Sequence, residues 1–158
     1  MRLTTYTDYA LRVLMFVAVK QEGLATITEI SKAYDVSRNH LMKVVHELGV
    51  AGYLETVRGK NGGLRLARPA DEINIGRIVR ECEQNTVLVE CFQEDGGDCR
   101  ITGVCMLRKV LRDALNAFFA ELDRYTLKDL IKPKRELERV LAFPALPPRA
   151  GPRRRAAG

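Results

Sequence analysis

Three of the four cysteines crowd into one short stretch, Cys91-Phe-Gln-Glu-Asp-Gly-Gly-Asp-Cys99-Arg-Ile-Thr-Gly-Val-Cys105. Two glycines and two aspartates lie between the first pair, which predicts a tight polar loop rather than a core strand. Thiolates on one short loop can converge on a single point, as a metal ion or an iron–sulfur cluster requires. The intervals of seven and then five residues are neither the Cys-x2-Cys of a zinc knuckle nor the run of a bacterial ferredoxin. Three free thiols, or one disulfide with a spare, are the competing readings. The fourth cysteine, Cys82, continues an apolar stripe of Ile75, Ile78 and Val79, where a thiol acts as a small hydrophobe.

The loop needs elements to hold it. Ala10, Val13, Leu14 and Val17 recur at helical spacing and predict a first helix from Thr5 or Thr7 to about Gln21, closed by Gly23. Asp8 falls in its first turn, where a carboxylate suits the positive end of the helix dipole. Thr26, with Glu29 three residues on, forms a capping box for a short helix from Ile27 to Tyr34. Asp35-Val36 is a turn, and Ser37 is placed to cap the next helix, Arg38 to Ala51, with Leu41, Val44, Val45 and Leu48 buried. Two short helices joined by a tight turn are a helix-turn-helix candidate.

In that geometry the second helix meets the major groove through its first residues. These are Ser37, Arg38, Asn39 and His40, with Lys43 one turn further. Arginine can fork to guanine and asparagine to adenine, while serine and lysine suit phosphate. Residues 53–57 and 64–67 then read as two strands around the glycine-rich turn Arg58-Gly59-Lys60-Asn61-Gly62-Gly63. A basic hairpin directly after a helix-turn-helix is a wing, and Arg58, Lys60, Asn61, Gly62 and Arg65 are its candidate DNA contacts.

Asn74 is placed to cap a helix from Ile75 to about Glu83. Beyond the cysteine loop, Leu107, Leu111, Ala114, Phe118, Leu122 and Tyr125 step by three and four along a helix spanning about 104–125. That narrow seam is of coiled-coil type and predicts a homodimer packed along it. A two-fold dimer also matches palindromic half-sites. A last short helix runs from Leu127 to Ile131, capped by Thr126, and residues 136–142 are able to prolong helix. The expected fold is mainly α with a small β-hairpin wing: a winged helix-turn-helix plus a long dimerisation helix. Its parts are a DNA-binding region (1–70), the loop and dimerisation helix (71–131), and a basic Pro/Arg-rich tail expected to be disordered (132–158).

Charge follows the same division. Residues 1–70 hold ten basic and six acidic side chains, residues 71–131 eight and twelve, and residues 132–158 eight and two. The formal net charge of +6 therefore equals that of the tail alone, and the locally basic first half is the better argument for phosphate contacts. The opening residues lack the order of a signal peptide, and the longest apolar run, from Val13 to Val19, is too short to span a membrane. A cytoplasmic protein with reduced thiols is expected, without a structural disulfide. No nucleophile–base pair, phosphate loop or paired acid–base carboxylates stand out, so no enzyme is expected.

These features together resemble the bacterial iron–sulfur winged-helix regulators of the IscR/NsrR type over residues 1 to about 131. The resemblance rests on several motifs quoted from this chain. They are Met1-Arg2-Leu3-Thr4 with Asp8-Tyr9-Ala10-Leu11, Ile30-Ser31, Ser37-Arg38-Asn39-His40-Leu41, Gly49-Val50-Ala51-Gly52-Tyr53-Leu54 and Arg58 through Ala67, followed by the three-cysteine loop. IscR-like members are expected to carry a histidine three residues past the last loop cysteine and a 2Fe–2S cluster; this chain has Arg108 there, and its only histidines are His40 and His46. NsrR-like members resemble it in carrying Asp8 and in Met42-Lys43-Val44-Val45-His46-Glu47-Leu48. The resemblance thus implies a nitric-oxide-sensing repressor. It implies a 4Fe–4S cluster held by Cys91, Cys99, Cys105 and Asp8 of the partner subunit. Cluster-loaded protein would bind operator DNA and release it on nitrosylation. The alternatives are an IscR-like sensor of iron–sulfur or redox status, and a zinc-stabilised DNA-binding module without sensing.

Overall fold

The structure, a computed structural model, describes residues 2–20, 23–83, 87–93 and 97–141. Its spine is α1 (Thr5–Val19), whose apolar residues are too many for one face. Ala10, Val13, Leu14, Phe16, Val17 and Val19 are all buried, because neighbours pack around the helix on several sides. Thr4 caps it, its hydroxyl accepting from the Thr7 amide at 3.2 Å. The helix ends at Val19, two residues before the expected Gln21, which lies outside the described residues.

The capping box of α2 (Ile27–Tyr34) forms as expected, with Glu29 accepting from the Thr26 amide at 2.8 Å and Thr26 Oγ1 accepting from the Glu29 amide at 3.2 Å. Glu29 also takes Lys20 Nζ at 2.6 Å, which fastens the end of α1 to the start of α2. The turn into α3 (Arg38–Val50) passes through Asp35 in the left-handed region, φ 52°. Ser31 Oγ closes that turn by donating to the Val36 carbonyl at 2.7 Å. Ser37 stands before α3 but makes no capping hydrogen bond, contrary to the expectation of a side-chain cap. Leu41, Val44, Val45 and Leu48 are the buried stripe.

Strands β1 (Leu54–Val57) and β2 (Gly63–Leu66) pair antiparallel, Leu54 opposite Leu66 and Thr56 opposite Leu64. The hairpin is anchored because Leu64 exchanges both backbone hydrogen bonds with Ala25, at 2.7 and 3.0 Å. A side chain at Gly63 would collide with the Ala25 carbonyl. Arg68 secures the hairpin base, donating Nε to the Gly52 carbonyl at 3.0 Å with its guanidinium over the Tyr53 ring.

A short 3-10 turn, Ala70–Glu72, leads to α4 (Ile75–Cys82), capped by Asn74 as its sequence predicts. The cysteine segment contains two more 3-10 turns, Glu90–Phe92 and Thr102–Val104. Then come α5 (Met106–Leu122), α6 (Leu127–Leu130) and α7 (Lys134–Val140). The expected helix over 104–125 is therefore shorter: Cys105 is extended and precedes it, and Tyr125 hands its carbonyl to the Ile75 amide instead. The expected seam also divides. Phe118 and Leu122 pack on the chain's own core, while Leu107 and Ala114 stay exposed, as does Val110 beside the seam. At the other end, α7 is ordered helix with Leu137 and Leu141 against the core, so structure extends into the region expected to be tail. The rest of that tail, 142–158, lies outside the described residues.

Candidate nucleic-acid interface and cysteine centre

The first turn of α3 presents Arg38, Asn39 and His40 to solvent, with Ser37 before it and Lys43 one turn on. This follows from the buried stripe: with Leu41, Val44, Val45 and Leu48 inward, the intervening positions must point out. His40 is also steadied from behind, its ring stacked on that of Tyr9 in α1 with centroids 6.3 Å apart and planes at 30°. At the wing tip Arg58, Lys60 and Asn61 are exposed, and Gly62 is half-exposed beside them. Arg65 is exposed as well but already engaged. It lies directly opposite Glu55 and donates Nε at 2.9 Å and a terminal nitrogen at 3.0 Å to that carboxylate. This pairing, invisible without the strand register, holds the Glu55 carboxyl below its usual range.

Asp8 lies half-exposed on α1 and forms a two-pronged ion pair with Arg12 one turn later, at 2.8 and 3.0 Å. The same guanidinium sits 5.8 Å over the Tyr34 ring at the end of α2. The helix thus shows an acid, a base and an aromatic ring side by side towards a groove of about 610 Å³ that also takes in Arg2, Thr4 and Asp35. The Arg12 contacts were not foreseen from the sequence. The i, i+4 spacing of Asp8 and Arg12 was the available signal.

Cys91 and Cys105 are half-buried, Cys99 is exposed, and all are free thiols. Phe92 fastens the segment to α5, where the Arg112 guanidinium stacks 4.6 Å from its ring. Glu90 folds the segment back on itself, its Oε1 accepting from the Asp98 amide at 2.9 Å. Gly97 fits that reversal with φ 62°, and a side chain there would also strike Glu90, its Cγ first. Cys99 in turn accepts at its carbonyl from the Thr102 hydroxyl at 2.8 Å. Among the described residues, no three His, Cys, Asp or Glu side chains gather closely enough to hold a metal ion.

The donor chemistry nonetheless suits an iron–sulfur cluster. Three free thiols lie on one segment of chain, and soft thiolates are what such clusters take. Cys105 occupies the cap position of α5, where no side chain caps the helix and no acid sits in the first turn. The amide groups there favour an anion. Arg108, in that first turn, has a buried Nε without a hydrogen-bond partner. An anionic group on Cys105 would face those amide groups. Cys82 differs from the other three: it packs against the core, and burial, with Glu83 and Glu81 nearby, pushes its thiol up to about 11. A thiol so strongly protonated is a poor ligand.

Residues 3–133 match the family described as Rrf2, iron-dependent transcriptional regulator. The chain is 49% identical to the HTH-type transcriptional regulator NsrR of Bacillus subtilis over 142 residues, 89% of this chain and 97% of that protein. The corresponding protein of Geobacillus kaustophilus is 51% identical over 142 residues, again 89% and 97%. Among solved structures, CymR, the global cysteine regulator of B. subtilis, superposes with a TM-score of 0.63 at 30% identity, covering 82% of this chain and 95% of that one. The IscR of T. potens does so at 0.67 and 25% identity, covering 86% and 90%.

Proposed function

Because the chain belongs to the Rrf2 family of iron-dependent transcriptional regulators, we propose that it is an NsrR-type repressor gated by an iron–sulfur cluster. It is a regulator and not an enzyme. The observation that carries the reading is the pairing, in one small chain, of an exposed basic α3 and wing with three free thiols on one segment, the last of them at an uncapped helix start. Cys91, Cys99 and Cys105 hold the cluster, probed best as 4Fe–4S, with Asp8 of the partner subunit as the fourth ligand. Reaction of the bound cluster with nitric oxide supplies the signal. Asp8 suits this role because its carboxylate is half-exposed on α1 and bonded only to its neighbour Arg12 among the contacts described. A hard oxygen ligand among soft thiolates is an exchangeable position.

The protein acts as a homodimer through the 104–125 region. Val104, Met106, Leu107 and Val110 there are more than half exposed, which a lone chain has no use for. Arg38 and Asn39 read base edges. Ser37, His40, Lys43, Arg58, Lys60, Asn61, Gly62 and Arg65 line the backbone of a palindromic operator. No described helix is long and apolar enough to cross a membrane. The site of action is the cytoplasm, where DNA and reduced thiols coexist.

The test is iron and acid-labile sulfide per chain on anaerobically prepared protein, with operator affinity before and after nitric oxide. About four irons per chain, bleaching by nitric oxide and loss of operator binding are expected. About two irons with an indifferent spectrum would replace this reading with the IscR-like one. Zinc without sulfide would leave only a winged-helix DNA binder.

A further inference from the structure

The last turn of α4 grips three different elements with consecutive or near-consecutive side chains. Arg80 forks onto Asp123 at the end of α5, at 2.5 and 2.7 Å, and lies 4.7 Å over the Phe119 ring. Gly76 one turn earlier lets α4 approach that same aspartate, which any side chain would strike. Glu81 accepts the Tyr53 hydroxyl at 2.6 Å, at the point where α3 gives way to the wing. Glu83 accepts three donors at one oxygen: the Thr4 amide at 2.8 Å, the Thr4 hydroxyl at 2.9 Å and the Thr7 hydroxyl.

Thr7 is fully buried and is the one buried polar residue among those described. A buried hydroxyl network of this kind is costly to leave half-satisfied. The turn that it fixes is the first turn of α1, and Asp8 belongs to that turn because its backbone N–H donates to the Thr4 carbonyl at 3.1 Å. Immediately after Glu83 the chain runs on to the cysteine segment. The same short helix thus ties the start of α1 and the base of the wing to the stretch of chain that leads into the cysteine segment.

We propose that Glu83 and Glu81 are positioning residues that transmit the state of the cysteine segment to the winged helix, Glu83 through α1 and Glu81 through Tyr53 at the wing base. This rests on the cluster-gated reading given above. Neither carboxylate is placed on the cluster or on DNA; each acts through the element that it grips. The coupling is the ratio of operator Kd without and with the cluster, and couplings of this kind span about 5- to 150-fold.

The experiment measures that ratio at fixed salt for the wild type, Glu83→Ala, Glu83→Gln and Tyr53→Phe. Iron content and helical circular dichroism are checked for each. Tyr53→Phe removes only a hydroxyl, and so remains informative if Glu83→Ala folds poorly. Amide exchange at Thr7 and Asp8 in cluster-free protein gives a second readout, independent of loading. Glu83→Ala and Tyr53→Phe should pull the ratio to within about twofold of one, against the wider span usual for coupled sites. Glu83→Gln should retain it, because an amide oxygen still accepts from Thr4 and Thr7. Glu83→Ala alone should speed exchange in the first turn of α1. A large wild-type ratio that persists in both Glu83→Ala and Tyr53→Phe would overturn the role and leave the contacts as packing. A wild-type ratio of one would instead refute the cluster-gated reading, and the role with it.

Discussion

The exposed apolar start of α5 gives the sharpest test of dimerisation. Leu107 is 62% exposed, with Val110 at 54% beside it one turn on. Fully burying a leucine is worth about 1.5–3 kcal/mol, so covering the part of Leu107 that is exposed is worth about 1–2 kcal/mol per chain. A two-fold interface uses each residue twice. Leu107→Ser should therefore cost about 2–4 kcal/mol per dimer, a rise of roughly 30- to 700-fold in the dimer dissociation constant at 1.4 kcal/mol per decade. The side chain makes little contact with its own core, so thermal stability extrapolated to the monomer should hardly change. Sedimentation equilibrium over a dilution series reads the constant directly. Val140→Ser is the control, being 74% exposed but on α7. An unchanged dissociation constant for Leu107→Ser would show that the start of α5 is not the contact between copies.

Further outcomes are expected at the DNA face, at the cysteines and at the α2 cap. Lys43→Ala or Arg58→Ala should weaken binding to all sequences alike and flatten the plot of log K against log salt by about 0.9, one phosphate contact each; Asn39→Ala should instead relax base preference at one position, read by competition with singly substituted operators. In cluster-free protein, an alkylating reagent at pH 8 should label Cys91, Cys99 and Cys105 quickly and Cys82 slowly. Because the folded Cys82 pKa is raised to about 11, its contribution to stability is present below the unfolded value of about 8.5 and is lost as pH rises through 11, so Cys82→Ala should narrow the difference between melting at pH 8 and pH 11. Thr26→Ala should cost about 1 kcal/mol in chemical denaturation, as lost caps do. Burial raises the Glu29 carboxyl, but its bonds to Lys20 and Thr26 outweigh that and leave it below the ordinary value. Its contribution is therefore present above about pH 4.5 and is lost as pH falls through the depressed pKa, and Glu29→Gln should flatten acid melting below pH 4.5.

Local chemistry was legible wherever the physics is local. The Thr26–Glu29 capping box, the Asn74 cap, the α3 stripe and the hairpin all follow from residues a few positions apart, and their backbone geometry leaves little choice. Spacing alone also set the three loop cysteines apart from Cys82. Tertiary structure decided whatever depends on partners far along the chain. The seam of α5 reads as one stripe in sequence, yet α4 and the core cover Phe118 and Leu122 while Leu107 is left open. Ser37 has the type of a cap but not the bond, a difference that residue type alone does not reveal. The Arg65–Glu55 pair needs the strand register, and the Glu83 network joins residues 76 and 79 positions apart. A carboxylate near the end of a helix carries no sign of which distant hydroxyl will fill its lone pairs; only the packing of α4 against α1 settles that, since burial there makes an unpaired polar group too costly to leave.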